Sequence, residues 1–221
     1  MRARPQQLPR AASLSSWRSL PDRRGWPRVL TAYGHSWVFG TGARRHSDGF
    51  VQQAARRLGH RLDNQAESGS LSTETARLVV ARPPGPADVY VLMTGFNDAR
   101  LHGAAPAGRR QYEESLEIVV HALHKADPRA VTLAIEQPHI QDYSGHPPYD
   151  QATDAIVDEY NATLRTTVAR FPSARTVVVD GWDVTSMLAD DNVHPNVRGH
   201  AVLARSLVRA MTAVVRKDGA R

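Results

Sequence analysis

The sequence contains no cysteine. Disulfides, thiolate nucleophiles and cysteine-ligated zinc are therefore excluded. No run approaches 18 apolar residues, so no segment is expected to span a membrane. The N-terminal region has arginines but no apolar h-region of a secretory signal. Arg23-Arg24 leads into Gly-Trp-Pro-Arg rather than an apolar stretch, which argues against twin-arginine export. A cytoplasmic location is the expectation. There is also no internal repeat, and no domain-breaking linker follows residue 28.

What is present begins with charge. The formal net charge is +6, which invites a nucleic-acid reading until the charges are located. Residues 1–28 hold seven arginines (2, 4, 10, 18, 23, 24 and 28) against one acid, Asp22. Of the 28 basic and 22 acidic residues, that leaves 21 of each in the rest. The basicity belongs to an Arg-rich N-terminal tail of low apolar periodicity, expected to be flexible. Residues 29–221 are the expected domain, of a size that buries a sizeable core. Nucleic acid is not the expected partner, and oligomeric state is not readable.

From residue 29 apolar β-type runs alternate with helix-period runs. Strands are expected at 29–33, 60–66, 88–93, 131–135 and 176–180. Helices are expected near 46–58, 70–81, 109–125, 151–170 and 198–215. Continuous apolar strands separated by helices imply a parallel sheet covered on both faces. With right-handed crossovers, five strands favour an α/β flavodoxin-like arrangement in the order 2-1-3-4-5. Functional residues should gather at the carboxyl ends of its strands.

Four stretches fall at those ends. Ser36 follows the first strand in Gly34-His35-Ser36, and Gly69 follows the second in Glu67-Ser68-Gly69-Ser70. Asn97 follows the third in Gly95-Phe96-Asn97-Asp98, and Asp191-Asn192-Val193-His194 follows the fifth. Taken singly, each has a plain structural use as a turn serine, a turn glycine, an Asx cap or a surface histidine. Jointly they supply what acyl transfer at a carbonyl carbon needs. His194 can take the Ser36 proton and return it to a leaving group. Asp191 can fix the imidazole tautomer. Gly69, the Asn97 side chain and the Ser36 N–H can donate to an oxyanion, with Gly69 opening the second helix.

These blocks resemble the SGNH hydrolase superfamily, the GDSL-type esterases and lipases. The matching residues are Ser36, Gly69, Gly95-Phe96-Asn97-Asp98, and Asp191-x-x-His194 followed by Pro195, and the resemblance covers about residues 29–215. It implies a three-layer α/β/α sandwich, serine-dependent chemistry on an acyl ester or thioester, and no cofactor. His35 stands where the family usually has aspartate. We expect it to take over a hydrogen-bonding role in the serine loop. The same residues serve a hydrolase or an acyltransferase, which differ only in the acceptor. A non-catalytic binding module on the same scaffold is the third reading.

Other residues carry less. Trp37 or Phe39, beside the serine, is expected to line the acyl site. The loop 137–149, rich in Pro, His and Tyr, is expected to border the acyl or alcohol site, which brings in His139 and Tyr143. His121, His124, His139 and His146 lack identifiable further ligands, so no metal is expected. Gly40-x-Gly42 lacks the lysine and spacing of a phosphate loop.

Overall fold

The computed structural model describes residues 28–218. The expected tail therefore lies outside the described residues, apart from Arg28 at its end. In chain order the elements are β1 (Val29–Gly34), α1 (Ser36–Phe39), α2 (Phe50–Leu58), β2 (Arg61–Asn64), α3 (Ser72–Ala81), β3 (Val89–Met93) and α4 (Phe96–His102). They continue with α5 (Pro106–Ala126), β4 (Val131–Ile135), α6 (Asp154–Val168), β5 (Ala174–Val177) and α7 (Val197–Asp218). The five strands form one sheet in the order β2-β1-β3-β4-β5, and every pair is parallel.

Alternation along the strands divides the core in two. Leu30, Ala32, Val91, Met93, Leu133 and Ile135 point to one face and pack with Phe50, Val51 and Ala54 of α2 and Leu203, Leu207 and Met211 of α7. Tyr33, Tyr90, Leu92 and Ala134 point to the other, under Ala76 and Val79 of α3, Leu116 and Val119 of α5, and Tyr160 and Leu164 of α6. Burial of each of the larger aliphatic side chains stabilises by ~1.5–3 kcal/mol before entropy is set against it. The result is the three-layer α/β/α sandwich with the expected strand order. Among the described residues no helix is long and apolar enough to cross a membrane.

Differences from the sequence expectations are local. The expected helix near 46–58 is a single turn of 3-10 helix, His46–Asp48, then α2, with extended Gly49 between them. α5 begins earlier than expected, with Pro106 in its first turn, where a missing N–H costs nothing. α6 starts at Asp154, where the Thr153 hydroxyl accepts from the Ile156 N–H at 3.3 Å. The last strand is corrected from 176–180 to Ala174–Val177. Its pairing runs Thr132↔Ala174 to Ile135↔Val177 and stops where β4 stops. Val178, which has no such neighbour, is 60% exposed.

Candidate active site

The carboxyl end of β1 approaches β3 so closely that a Cβ at Gly34 would stand 2.0 Å from the Met93 carbonyl oxygen. Gly34 also has φ +146, in the region that favours glycine. The chain then turns at once into α1, a single turn that carries Ser36 at its first position. His35 caps that turn: its Nδ1 accepts from the Trp37 N–H at 3.4 Å. The imidazole is fully buried, and its Nε2 has no hydrogen-bond partner among the described residues. Burial, with a smaller push from neighbouring His194, brings its pKa down to about 3, so it stands neutral. Of the hydrogen-bonding role expected of His35, the structure gives the Nδ1 bond to the Trp37 N–H.

Ser36 meets His194 across the sheet end, with Oγ 2.9 Å from Nε2. On the other side of the ring, Nδ1 donates to Asp191 Oδ2 at 2.6 Å. With that proton on Nδ1, Nε2 is the acceptor for the Ser36 hydroxyl. Asp191 is held as well: its Oδ1 accepts from the Val193 and His194 N–H groups at 3.0 and 2.9 Å. Burial tends to raise the Asp191 pKa, but the hydrogen bonds from His194 and Val193 outweigh it, leaving it below its ordinary value. The loop that presents the pair closes on itself through Ala189 N–H to His194 O at 2.8 Å, with Asn192 at φ 57. Asn196 then starts α7, its Oδ1 accepting from the Arg198 and Gly199 N–H groups.

The glycine pair 40 and 42 finds a use here. A Cβ on Gly42 would lie 2.2 Å from the Pro195 carbonyl oxygen and 3.1 Å from His194 Cβ. Gly42, at φ +87, thus lets the loop after the serine lie directly against the loop that carries the histidine. His200 seals the contact from within α7, donating from Nε2 to the Thr41 carbonyl at 2.9 Å.

Three groups expected as oxyanion donors keep an N–H to spare. The Ser36 and Gly69 N–H groups donate to no acceptor among the described residues. Asn97 spends one amide N–H on the Ser70 carbonyl at 3.0 Å, which leaves the second. Gly69 does not open α3, as expected, but sits in a turn three residues before it, at φ +84, where a Cβ would meet nothing within 4 Å. Only its backbone angle requires glycine there. The turn is strapped to the serine strand: Glu67 N–H and Ser70 Oγ both donate to the Gly34 carbonyl, at 3.0 and 3.1 Å.

Asp98, next to Asn97, braces this arrangement. Its carboxylate accepts from the Ser72 N–H at 2.9 Å and the Ser72 hydroxyl at 2.5 Å, tying the start of α4 to the start of α3. Burial pushes the Asp98 pKa up, against the pull of the Ser72 hydrogen bonds.

The four residues expected around the substrate fare differently. Trp37 is fully enclosed, stacked on Trp182 at 5.2 Å, with its indole N–H on the Val193 carbonyl at 3.0 Å. It is corrected from pocket wall to core, where it buttresses the histidine loop from behind. Phe39 packs partly buried against the core and the His46 ring, 4.5 Å away. His139 turns toward α6, with Nε2 2.9 Å from Asp158 Oδ1. Tyr143 also braces α6: its hydroxyl donates to Asp154 Oδ1 at 3.0 Å and accepts from the Ile140 N–H. The loop residue that touches the site is instead His146, whose Nε2 donates to the Asp191 carbonyl at 3.1 Å. Arg100, which no sequence pattern singled out, is buried in α4 three residues beyond Asn97. Among the described residues no group of three His, Asp or Glu stands close enough to hold a metal ion.

Comparison with known proteins bears on the whole arrangement. Residues 32–202 match the model of the GDSL-like lipase/acylhydrolase family. No curated protein matches the sequence. A lipase/acylhydrolase from Enterococcus faecalis superposes with a TM-score of 0.65 at 18% identity, covering 84% of this chain and 96% of that one. A carbohydrate esterase family 2 enzyme from Corynascus thermopiles gives 0.68 at 20% identity, over 89% and 69% of the two chains. A salicylyl-acyltransferase from a tetracycline biosynthetic pathway gives 0.65 at 21% identity, over 85% and 55%. These likenesses are of fold, while the family match spans every block from β1 to α7, and the chain belongs to the GDSL-like lipase/acylhydrolase family.

Proposed function

We propose that this protein is a serine hydrolase of the SGNH type, cleaving an ester or thioester of a small molecule through an acyl-Ser36 intermediate. The observation that carries the reading is the unbroken chain Ser36 Oγ, His194 Nε2, His194 Nδ1, Asp191 Oδ2, with links of 2.9 and 2.6 Å. In the first half-reaction Oγ attacks the carbonyl carbon while its proton passes to Nε2. The oxyanion is met by the Ser36 and Gly69 N–H groups and the second Asn97 amide proton. Collapse breaks the bond to the alkoxide or thiolate, which leaves with the proton from His194. Water then repeats the sequence on the acyl-enzyme, releasing the acid and restoring Ser36. Asp191 stays ionised and holds the imidazolium throughout.

An acyltransferase would run the same first half-reaction and exchange water for another hydroxyl or amine. Hydrolysis is preferred because the His194 and Asp191 side chains remain 22% and 41% exposed, so water has access to the base. No cofactor takes part in the proposed reaction. A cytoplasmic location and a catalytic domain within residues 29–221 belong to the same proposal. Intact-mass analysis after a fluorophosphonate probe tests it. One adduct on the wild type, absent from Ser36→Ala and slowed in His194→Ala, is the expected result; no adduct on the wild type overturns it in favour of a binding module.

A further inference from the structure

Arg100 is a buried charge without a counter-ion. The residue is 6% exposed, yet its guanidinium makes no hydrogen bond or ion pair among the described residues, and Nε is fully enclosed without a partner. Buried charges are ordinarily paired, because desolvation is otherwise uncompensated. The group is instead held by aromatic faces, 5.2 Å from the Phe96 ring centroid and 5.8 Å from that of Tyr149. Phe96 in turn packs 5.6 Å from the His35 ring, next to the nucleophile. Arg100 lies three residues after Asn97 in α4, so the two share a helix face. Its charge acts on both His35 and Asp191. The cation therefore lies next to the candidate site, one helical turn from Asn97 and one ring away from His35.

We propose that Arg100 is the counter-charge for a carboxylate carried by the substrate, so that the preferred ester is a monoanion. This rests on the serine-hydrolase reading and names its substrate class. A carboxylate matches the planar fork of a guanidinium with two parallel hydrogen bonds. A dianionic phosphate matches less well, since the charged neighbours that Arg100 feels are Asp191 and Asp150, and no second cation is among them. Asp191 is not itself the missing partner: one of its oxygens is taken by the His194 ring and the other by two backbone N–H groups. Asp150 is engaged by the Gln151 amide.

The test compares kcat/KM for matched esters with the carboxylate free or methylated. One pair, p-nitrophenyl hemiglutarate and its methyl ester, places the charge on the acyl side. The other, 4-acetoxybenzoate and its methyl ester, places it on the leaving group. The wild type should favour the free acid by about tenfold or more in one of the pairs, and Arg100→Gln should reduce that ratio by about tenfold. High salt should shrink the wild-type ratio as well, a measurement that does not depend on the variant folding. A wild-type ratio at or below one in both pairs overturns the assignment, as does a ratio unchanged in folded Arg100→Gln. Faster cleavage of 4-acetoxyphenyl phosphate than of 4-acetoxybenzoate overturns the choice of a monoanion. If neutral esters are cleaved without charge preference, this inference alone fails. If Ser36 neither labels nor turns over any ester, both readings fail together.

Discussion

At the scale of single residues, the tautomer of His194 decides whether Ser36 can act. The Asp191 carboxylate accepts from Nδ1, so the tautomer it favours has its lone pair on the serine side. Asp191→Asn removes that bias, and kcat should fall by about 10²–10⁴ with the fold intact. Asn97→Ala removes one oxyanion donor and should lower kcat by about 10²–10³ while KM moves little. His35 makes a different prediction. Its folded-state pKa, about 3, lies below the ordinary 6.5, so the stability it contributes is fully present above 6.5 and is lost as pH falls toward 3. The unfolded chain takes up a proton that the buried imidazole refuses. Melting temperature followed from neutral to acid pH should therefore drop more steeply in the wild type than in His35→Gln. Parallel curves would dismiss the idea. His200, also lowered by burial, keeps some slope in both proteins.

At the scale of elements, the site is built from backbone approaches that side-chain pattern hardly records. Gly42 is the sharpest case, since a methyl group there collides with the Pro195 carbonyl. Gly42→Ala should push the serine and histidine loops apart, lower kcat/KM by at least about tenfold and destabilise the protein by ~1–3 kcal/mol, as read by enzyme assay and denaturant melts. The order of strands was legible because apolar runs and helical periods alternate cleanly, and the βα junctions located Ser36, Gly69, Asn97 and His194. α1 and α4 were not, because four and seven residues are too few to establish a period. The β5 boundary slipped because three valines in a row look alike, although only Val177 keeps a strand beside it. Trp37 shows why a pocket wall cannot be told from core by residue type. Its neighbours Trp182 and Val193 are remote in sequence, and burial of an indole depends on them. His146 and Arg100 were missed for the same reason: a contact to Asp191 and the want of a counter-ion are facts of three dimensions.

At the scale of the molecule, formal charge is distributed in two blocks. Residues 29–221 balance to zero, so removing residues 1–27 takes away most of the positive charge and none of the candidate site. Ester turnover should survive that truncation within about twofold, and any salt-sensitive association with polyanions should go with the removed segment. Loss of turnover in a folded truncated protein would give the segment a part in catalysis.

The two halves of the candidate proton path lie 158 positions apart in the chain. During synthesis the nucleophile emerges well before its base, with more than 150 residues made in between. A chain arrested before Asp191 holds a serine with no partner to activate it. Such a protein cannot acylate itself or consume its substrate while still on the ribosome, and the onset of turnover would serve as a clock for the completion of folding.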